Sequence, residues 1–170
     1  MNNLAIRTAQ AEHKISSIGS GNFYLETQSL VERLHRRLLD VITHELSKRG
    51  RSDINAVQAL LLYNVGDQEM SAGDIRNRGC YLGSNVSYNL KKLVDLGFLD
   101  HERGKKDRRC VRIKITESGR SVSNLIEGLY KNHAETIRQV GGVDEDELLV
   151  LNRSLKRLER FWVDQVAYQL

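Results

Sequence analysis

The chain has no proline, and only 6% of its 170 residues are aromatic. Proline is the residue that most sharply breaks a helix, so its absence predicts long uninterrupted helices. The two cysteines, Cys80 and Cys110, are too few and too ill-spaced for a disulfide framework or a zinc site. No window approaches the ~18 consecutive apolar residues of a membrane-crossing helix. The opening "MNNLAIRTAQAEHK" lacks a basic head followed by an apolar run, which argues against export. A cytoplasmic protein with reduced thiols and no membrane partner is therefore expected. Also missing are H-E-x-x-H, G-x-x-x-x-G-K-[ST] and any nucleophile–base or metal-ligand cluster, so neither an enzyme nor a cofactor is expected. What remains, 40% hydrophobic and 28% charged residues, is the composition of a globular fold.

The net charge is only +4, but it is unevenly spread. Ser71 to Thr116 carries eleven Lys/Arg against five Asp/Glu, and the rest of the chain fifteen against seventeen. All the positive charge, and more, lies in the middle third. Such an asymmetry points to a local surface for a polyanion.

Along the chain, residues 1–20 read as a polar N-terminal arm. From Phe23 to Lys48, Leu30, Leu34, Leu38, Ile42 and Leu46 recur every four residues, with Val31 and Leu39 widening the stripe. "RGRSD" (Arg49 to Asp53) breaks this helix, and Ser52 or Asp53 can cap the next, "INAVQALLLYNVG", whose apolar composition makes it internal. A short helix over Ala72–Arg78, capped by Ser71, precedes a turn at Gly79–Gly83 and a second helix from Ser84 to Gly97. "FLDHER" and "CVRIKIT" follow as strands around the basic tip "GKKDRR"; Val111, Ile113 and Ile115 face one way, Arg112 and Lys114 the other. Helix resumes to about Val140 and ends at Gly141–Gly142. In the last helix Leu148, Leu151, Leu155, Leu158 and Trp162 are spaced as a heptad seam, behind an acidic start, "VDEDE".

Helix, turn, helix and basic hairpin together are the parts of a duplex-binding lobe. A helix fits the major groove of B-DNA, provided its outer residues can reach base edges. In "GSNVSYNLKKLVD", Val86, Leu90, Leu93 and Val94 form the inward stripe and leave Ser84, Asn85, Ser87, Tyr88, Lys91, Lys92 and Asp95 outside. Short hydroxyl and amide groups suit base edges and phosphates, and the lysines suit phosphates. Any amphipathic helix has a polar outer face, yet Ser, Asn, Ser, Tyr and Asn are poor choices for one that is merely solvated. At the tip, Lys105, Lys106, Arg108 and Arg109 can reach a phosphate backbone or a narrow minor groove, with Asp107 orienting a guanidinium.

The segment "DRRCVRIKITESG" resembles the wing signature of the MarR family of bacterial transcription regulators, met by Asp107, Arg109, Ile115, Thr116 and Gly119. "SNVSYNLKKLVDLGFL" is similar to the family's recognition helix at Val86, Ser87, Leu93, Gly97, Phe98 and Leu99, with Tyr88 replacing a common Arg. Within the family the chain looks closest to the LdtR-type regulators. The resemblance implies a mainly α fold with a small β-hairpin wing, in which N- and C-terminal helices form a helical dimerisation domain beside the winged helix-turn-helix lobe. The corresponding segments are the arm (1–20), a dimerisation helix (21–52), the DNA-binding lobe (53–116) and C-terminal dimerisation helices (117–170). It further implies a homodimer on double-stranded DNA, with Arg109 in the minor groove, Asp107 its positioning partner, and Ser84, Asn85, Ser87 and Tyr88 facing the major groove. A small aromatic or phenolic effector is implied too, near His35, Leu39, Thr43, Leu46, Ser47, Leu61 and Tyr63. The leucine seam agrees with a dimer, packing within one chain being the alternative. A redox role for Cys80 or Cys110 stays open, although neither lies in the N-terminal helix where the family's peroxide sensors carry theirs. The rival reading from another class is an adaptor whose basic lobe grips an acidic protein.

Overall fold

The computed structural model describes residues 20–68, 70–71, 84–103 and 111–168. The helix expected over Ala72–Arg78, both cysteines and the basic tip Lys105–Arg109 lie outside the described residues, as does the arm up to residue 19. In order, the elements are α1 (Ser20–Lys48), α2 (Ala56–Val65), β1 (Met70–Ser71), α3 (Ser84–Asp95), β2 (Leu99–Arg103), β3 (Val111–Ile115), α4 (Glu117–Thr136) with a π-helical turn at Ile137–Gly141, and α5 (Glu145–Tyr168). The protein is mainly helical with one small antiparallel sheet. It divides into two compact units, Met1–Ala59 and Leu60–Leu170, the boundary falling inside α2.

In the first unit α1 starts earlier than the leucine pattern indicated, taking in Ser20 and Gly21. It ends in a Schellman turn. Gly50 sits at φ 68, its N–H donates to the Ser47 carbonyl at 3.0 Å, and the Arg51 N–H donates to the Leu46 carbonyl at 2.9 Å. Neither Ser52 nor Asp53 caps α2. Asn55 does: its Oδ1 accepts from the Gln58 N–H at 2.9 Å, and the Gln58 Oε1 accepts from the Asn55 N–H at 3.2 Å. Asp53 is bound instead by Arg51, through two hydrogen bonds of 3.0 and 3.1 Å, which hold its carboxyl below the usual range. The leucine stripe of α1 is buried at Ile42 and Leu46, whereas Leu30 and Leu34 are 39% and 63% exposed.

The second unit opens on the apolar end of α2, where Leu60, Leu61, Leu62 and Val65 are all buried, as its internal composition requires. Its sheet has the order β1-β3-β2, so the expected β2–β3 hairpin is present and β3 is also the centre of three strands. The extra strand, Met70–Ser71, pairs with Ile113 and Arg112. Two residues are too few to display a strand period. Leu99 lies opposite Ile115 and His101 opposite Ile113. Leu99, Ile113 and Ile115 are buried, while Arg112 and Lys114 are exposed, as the alternation predicts. From α4, Val122 and Ile126 are fully buried. Each such side chain stabilises the fold by about 1.5–3 kcal/mol relative to exposure. Tyr63 meets Tyr130 edge to face, ring centroids 5.2 Å apart, and Arg120 pairs with Asp67 across the unit. α5 is capped reciprocally by Asp144 and Glu147, at 2.9 Å in both directions. None of its 24 residues is buried within the chain.

Candidate nucleic-acid interface

α3 is held by one face. Val86, Leu90 and Leu93 are 1%, 6% and 0% exposed, and Val94 is half-buried. The opposite face is open: Ser87, Tyr88, Lys91, Lys92 and Asp95 are all exposed, Tyr88 to 69%. Their spacing of three and four places them along one side of the helix. Ser84 and Asn85 lie in the first turn of α3, but their side chains lie outside the described residues. Asn89, between the faces, is half-buried.

The helix stops where the sequence said it should. Gly97 takes φ 75, its N–H donates to the Val94 carbonyl, and the Phe98 N–H donates to the Leu93 carbonyl, both at 2.9 Å. β2 begins at the next residue, so the turn joins α3 directly to the sheet. Thr116, between β3 and α4, bonds back to this turn through its hydroxyl, 2.8 Å from the Gly97 carbonyl oxygen. Sequence reading placed Thr116 and Gly119 only in a family signature; no pattern of periodicity or charge could have disclosed a contact spanning that much sequence.

Arg112 and Lys114 add two exposed cations on the outer face of β3. The strand register sets Glu102 opposite the first and Asp100 opposite the second. No acid stands in α3 before Asp95, which leaves Lys91 and Lys92 as the cationic part of the described face.

The residues read as effector-binding fall in both units. In the first, Leu46 is buried and Leu39 half-buried. Thr43 and Ser47 turn their hydroxyls onto the carbonyls of Leu39 and Thr43, at 2.8 and 2.9 Å. His35, placed in the apolar stripe by its spacing, is exposed. In the second, Leu61 is fully buried and Tyr63 is half-buried against Tyr130. Burial pushes the Tyr130 phenol above its usual pKa, with the neighbouring Tyr63 adding to the rise. Of the α5 seam, Leu151 and Leu155 are 48% and 39% exposed, and Leu148, Leu158 and Trp162 are half-buried. Among the described residues there is no cluster of three or more His, Cys, Asp or Glu able to hold a metal ion, and no helix long and apolar enough to cross a membrane.

Comparison with known proteins places this geometry. Residues 54–119 match the winged helix DNA-binding domain. The exopolysaccharide II synthesis transcriptional activator ExpG of Rhizobium meliloti (strain 1021) is 34% identical over 145 residues, covering 85% of this chain and 74% of ExpG. A mutant MarR from E. coli, complexed with operator DNA, has the same fold: TM-score 0.65 at 18% identity, over 82% of this chain and 98% of MarR. So has BpsR of Bordetella bronchiseptica, TM-score 0.64 at 19% identity over 78% and 91%, in a structure concerned with regulation of its DNA binding by 6-hydroxynicotinic acid. These relatives are regulators and not enzymes. With the exposed face of α3, the three-stranded sheet and an extended match to a transcriptional activator, the chain belongs to the MarR family of winged-helix transcription regulators.

Proposed function

We propose that the chain binds duplex DNA sequence-specifically as a homodimer, with α3 in the major groove and the β2–β3 tip in the neighbouring minor groove. The observation that carries this reading is the division of α3. Its apolar residues hold it to the fold, and the exposed residues described ahead of Asp95, Ser87, Tyr88, Lys91 and Lys92, are short and polar, aromatic or cationic. In the groove Ser84, Asn85, Ser87 and Tyr88 face base edges, and Lys91 and Lys92 face phosphates. Lys105, Lys106 and Arg108 add backbone charge, Arg109 enters the minor groove, and Asp107 orients it. Support for DNA as the polyanion comes from the operator complex of MarR.

The dimer reading rests on α5, whose leucine seam has no fully buried residue within the chain and leaves Leu151 and Leu155 exposed. A seam of that length needs a partner surface, and a second copy supplies the same heptad. Twofold symmetry then predicts a pseudo-palindromic site with half-sites about 34–36 Å apart. A small aromatic effector belongs to the proposal by analogy with BpsR. Titration calorimetry with phenolic acids tests it; no heat and unchanged DNA binding would remove it.

The DNA reading is tested by gel shift across a salt series. Each phosphate-neutralising lysine contributes ~0.9 to the slope of log K against log salt, so in the homodimer Lys91→Ala with Lys92→Ala removes four such contacts and should flatten that slope by about 3.6. An unchanged slope would take α3 off the phosphates. Arg109→Ala is expected to cost ~1–3 kcal/mol of binding and to relax preference in the flanking A·T-rich step. Undiminished affinity in that variant would take the tip out of the mechanism.

A further inference from the structure

The turn that closes α3 is fastened to the start of α4 by one residue. Thr116 donates its hydroxyl hydrogen to the Gly97 carbonyl at 2.8 Å. The same oxygen accepts from the Gly119 N–H at 3.1 Å and so caps α4. The Thr116 N–H donates to the Phe98 carbonyl, also at 3.1 Å. Gly97 and Phe98 are the two residues whose N–H groups terminate α3, so both of their carbonyls end on Thr116. Behind them Gly119 packs so closely that a Cβ there would stand 2.2 Å from the Phe98 oxygen.

These contacts supply something that the buried stripe of α3 does not. Packing of Val86, Leu90 and Leu93 is non-directional and sets chiefly how deep the helix sits. A hydrogen bond is directional and fixes angle as well as distance. We propose that Thr116 is a positioning residue for DNA recognition, its hydroxyl acting through Gly97 to set the angle at which α3 presents Ser87 and Tyr88. This rests on the reading of α3 as the DNA-binding helix. Recognition geometry is lost over about 0.5 Å or 10–20°, whereas a lysine on a flexible stem follows a phosphate through such a change. Misplacement of α3 therefore erodes discrimination between sequences before it erodes attraction to DNA in general.

The two tasks of the hydroxyl can be separated. An ionised Asp is a good N-cap but cannot donate a hydrogen bond, whereas Ser does both. The experiment uses the full chain and two duplexes of equal length: one selected by the wild type from a random pool, and a scrambled version. In Thr116→Asp the ratio of affinities for the two should fall roughly tenfold, the discrimination carried by about one base pair. Its affinity for the scrambled duplex should stay near wild type, and Thr116→Ser should restore the ratio. A role confined to capping would leave Thr116→Asp like wild type, and that result overturns the inference. Should the Asp variant not fold, Thr116→Gly, a tolerated N-cap without a hydroxyl, read at a temperature where circular dichroism shows it folded, carries the same two outcomes. A selection that enriches no sequence overturns the DNA reading and this inference with it; an enriched sequence with an unchanged ratio overturns this inference alone.

Discussion

Gly119→Ala is expected to destabilise the protein by about 3 kcal/mol, the upper part of the range for overpacking a closed site. The added methyl carbon would lie 2.2 Å from the Phe98 oxygen and 2.8 Å from the Ile115 Cγ1. A flexible side chain could give way, but the carbonyl cannot, because it receives the Thr116 N–H and belongs to the turn that ends α3. For a chain of this size the loss corresponds to a melting temperature lower by ~6–12 °C. Gly128, further along α4, gives the opposite sign. Nothing stands within 4 Å of a Cβ built there, so Gly128→Ala should gain about 0.5–1 kcal/mol from reduced freedom of the unfolded helix. Thermal unfolding of both variants by circular dichroism checks the pair. Equal shifts would mean that the close approach at Gly119 is not a constraint.

A second large effect is expected on the α5 seam. Glutamates at Leu151 and Leu155 together would set charges where the proposed dimer buries leucines, and an unpaired buried charge is strongly unfavourable. Both side chains are exposed in the single chain, so folding of one copy gains little from them and loses little. The double variant should therefore halve in mass by sedimentation. A lone copy grips one half-site, so its affinity should fall from the specific range towards the non-specific one, a loss of at least ~10³-fold. A double variant that keeps both the wild-type mass and its affinity would refer the seam to some other role.

Sequence made the helical parts legible because their periods are long. Leu30 to Leu46 marked α1, Gly97 marked the end of α3, and the acidic run marked the start of α5. The outer face of α3 was legible residue by residue at Ser87, Tyr88, Lys91, Lys92 and Asp95, since burying Val86, Leu90 and Leu93 decides the rest. β1 was not, because two residues have no period and its partner lies on β3, far along the chain. The cap of α2 was misplaced because Ser52, Asp53 and Asn55 are all good caps. Only the reciprocal bond with Gln58 separates them. Likewise the spacing that put His35 in the stripe of α1 could not tell its edge from its centre, and His35 is exposed. The link from Thr116 to Gly97 escaped for the most general reason: tertiary hydrogen bonds leave no trace in periodicity.

The central claim is that α3 lies in the major groove, and a methylation-protection footprint on a selected duplex tests it most directly, because guanine N7 is reachable only from that groove. The account predicts two protected tracts about 10–10.5 base pairs apart, one for each copy of α3. A duplex retarded by the protein, yet methylated at every guanine N7 as freely as naked DNA, would contradict it.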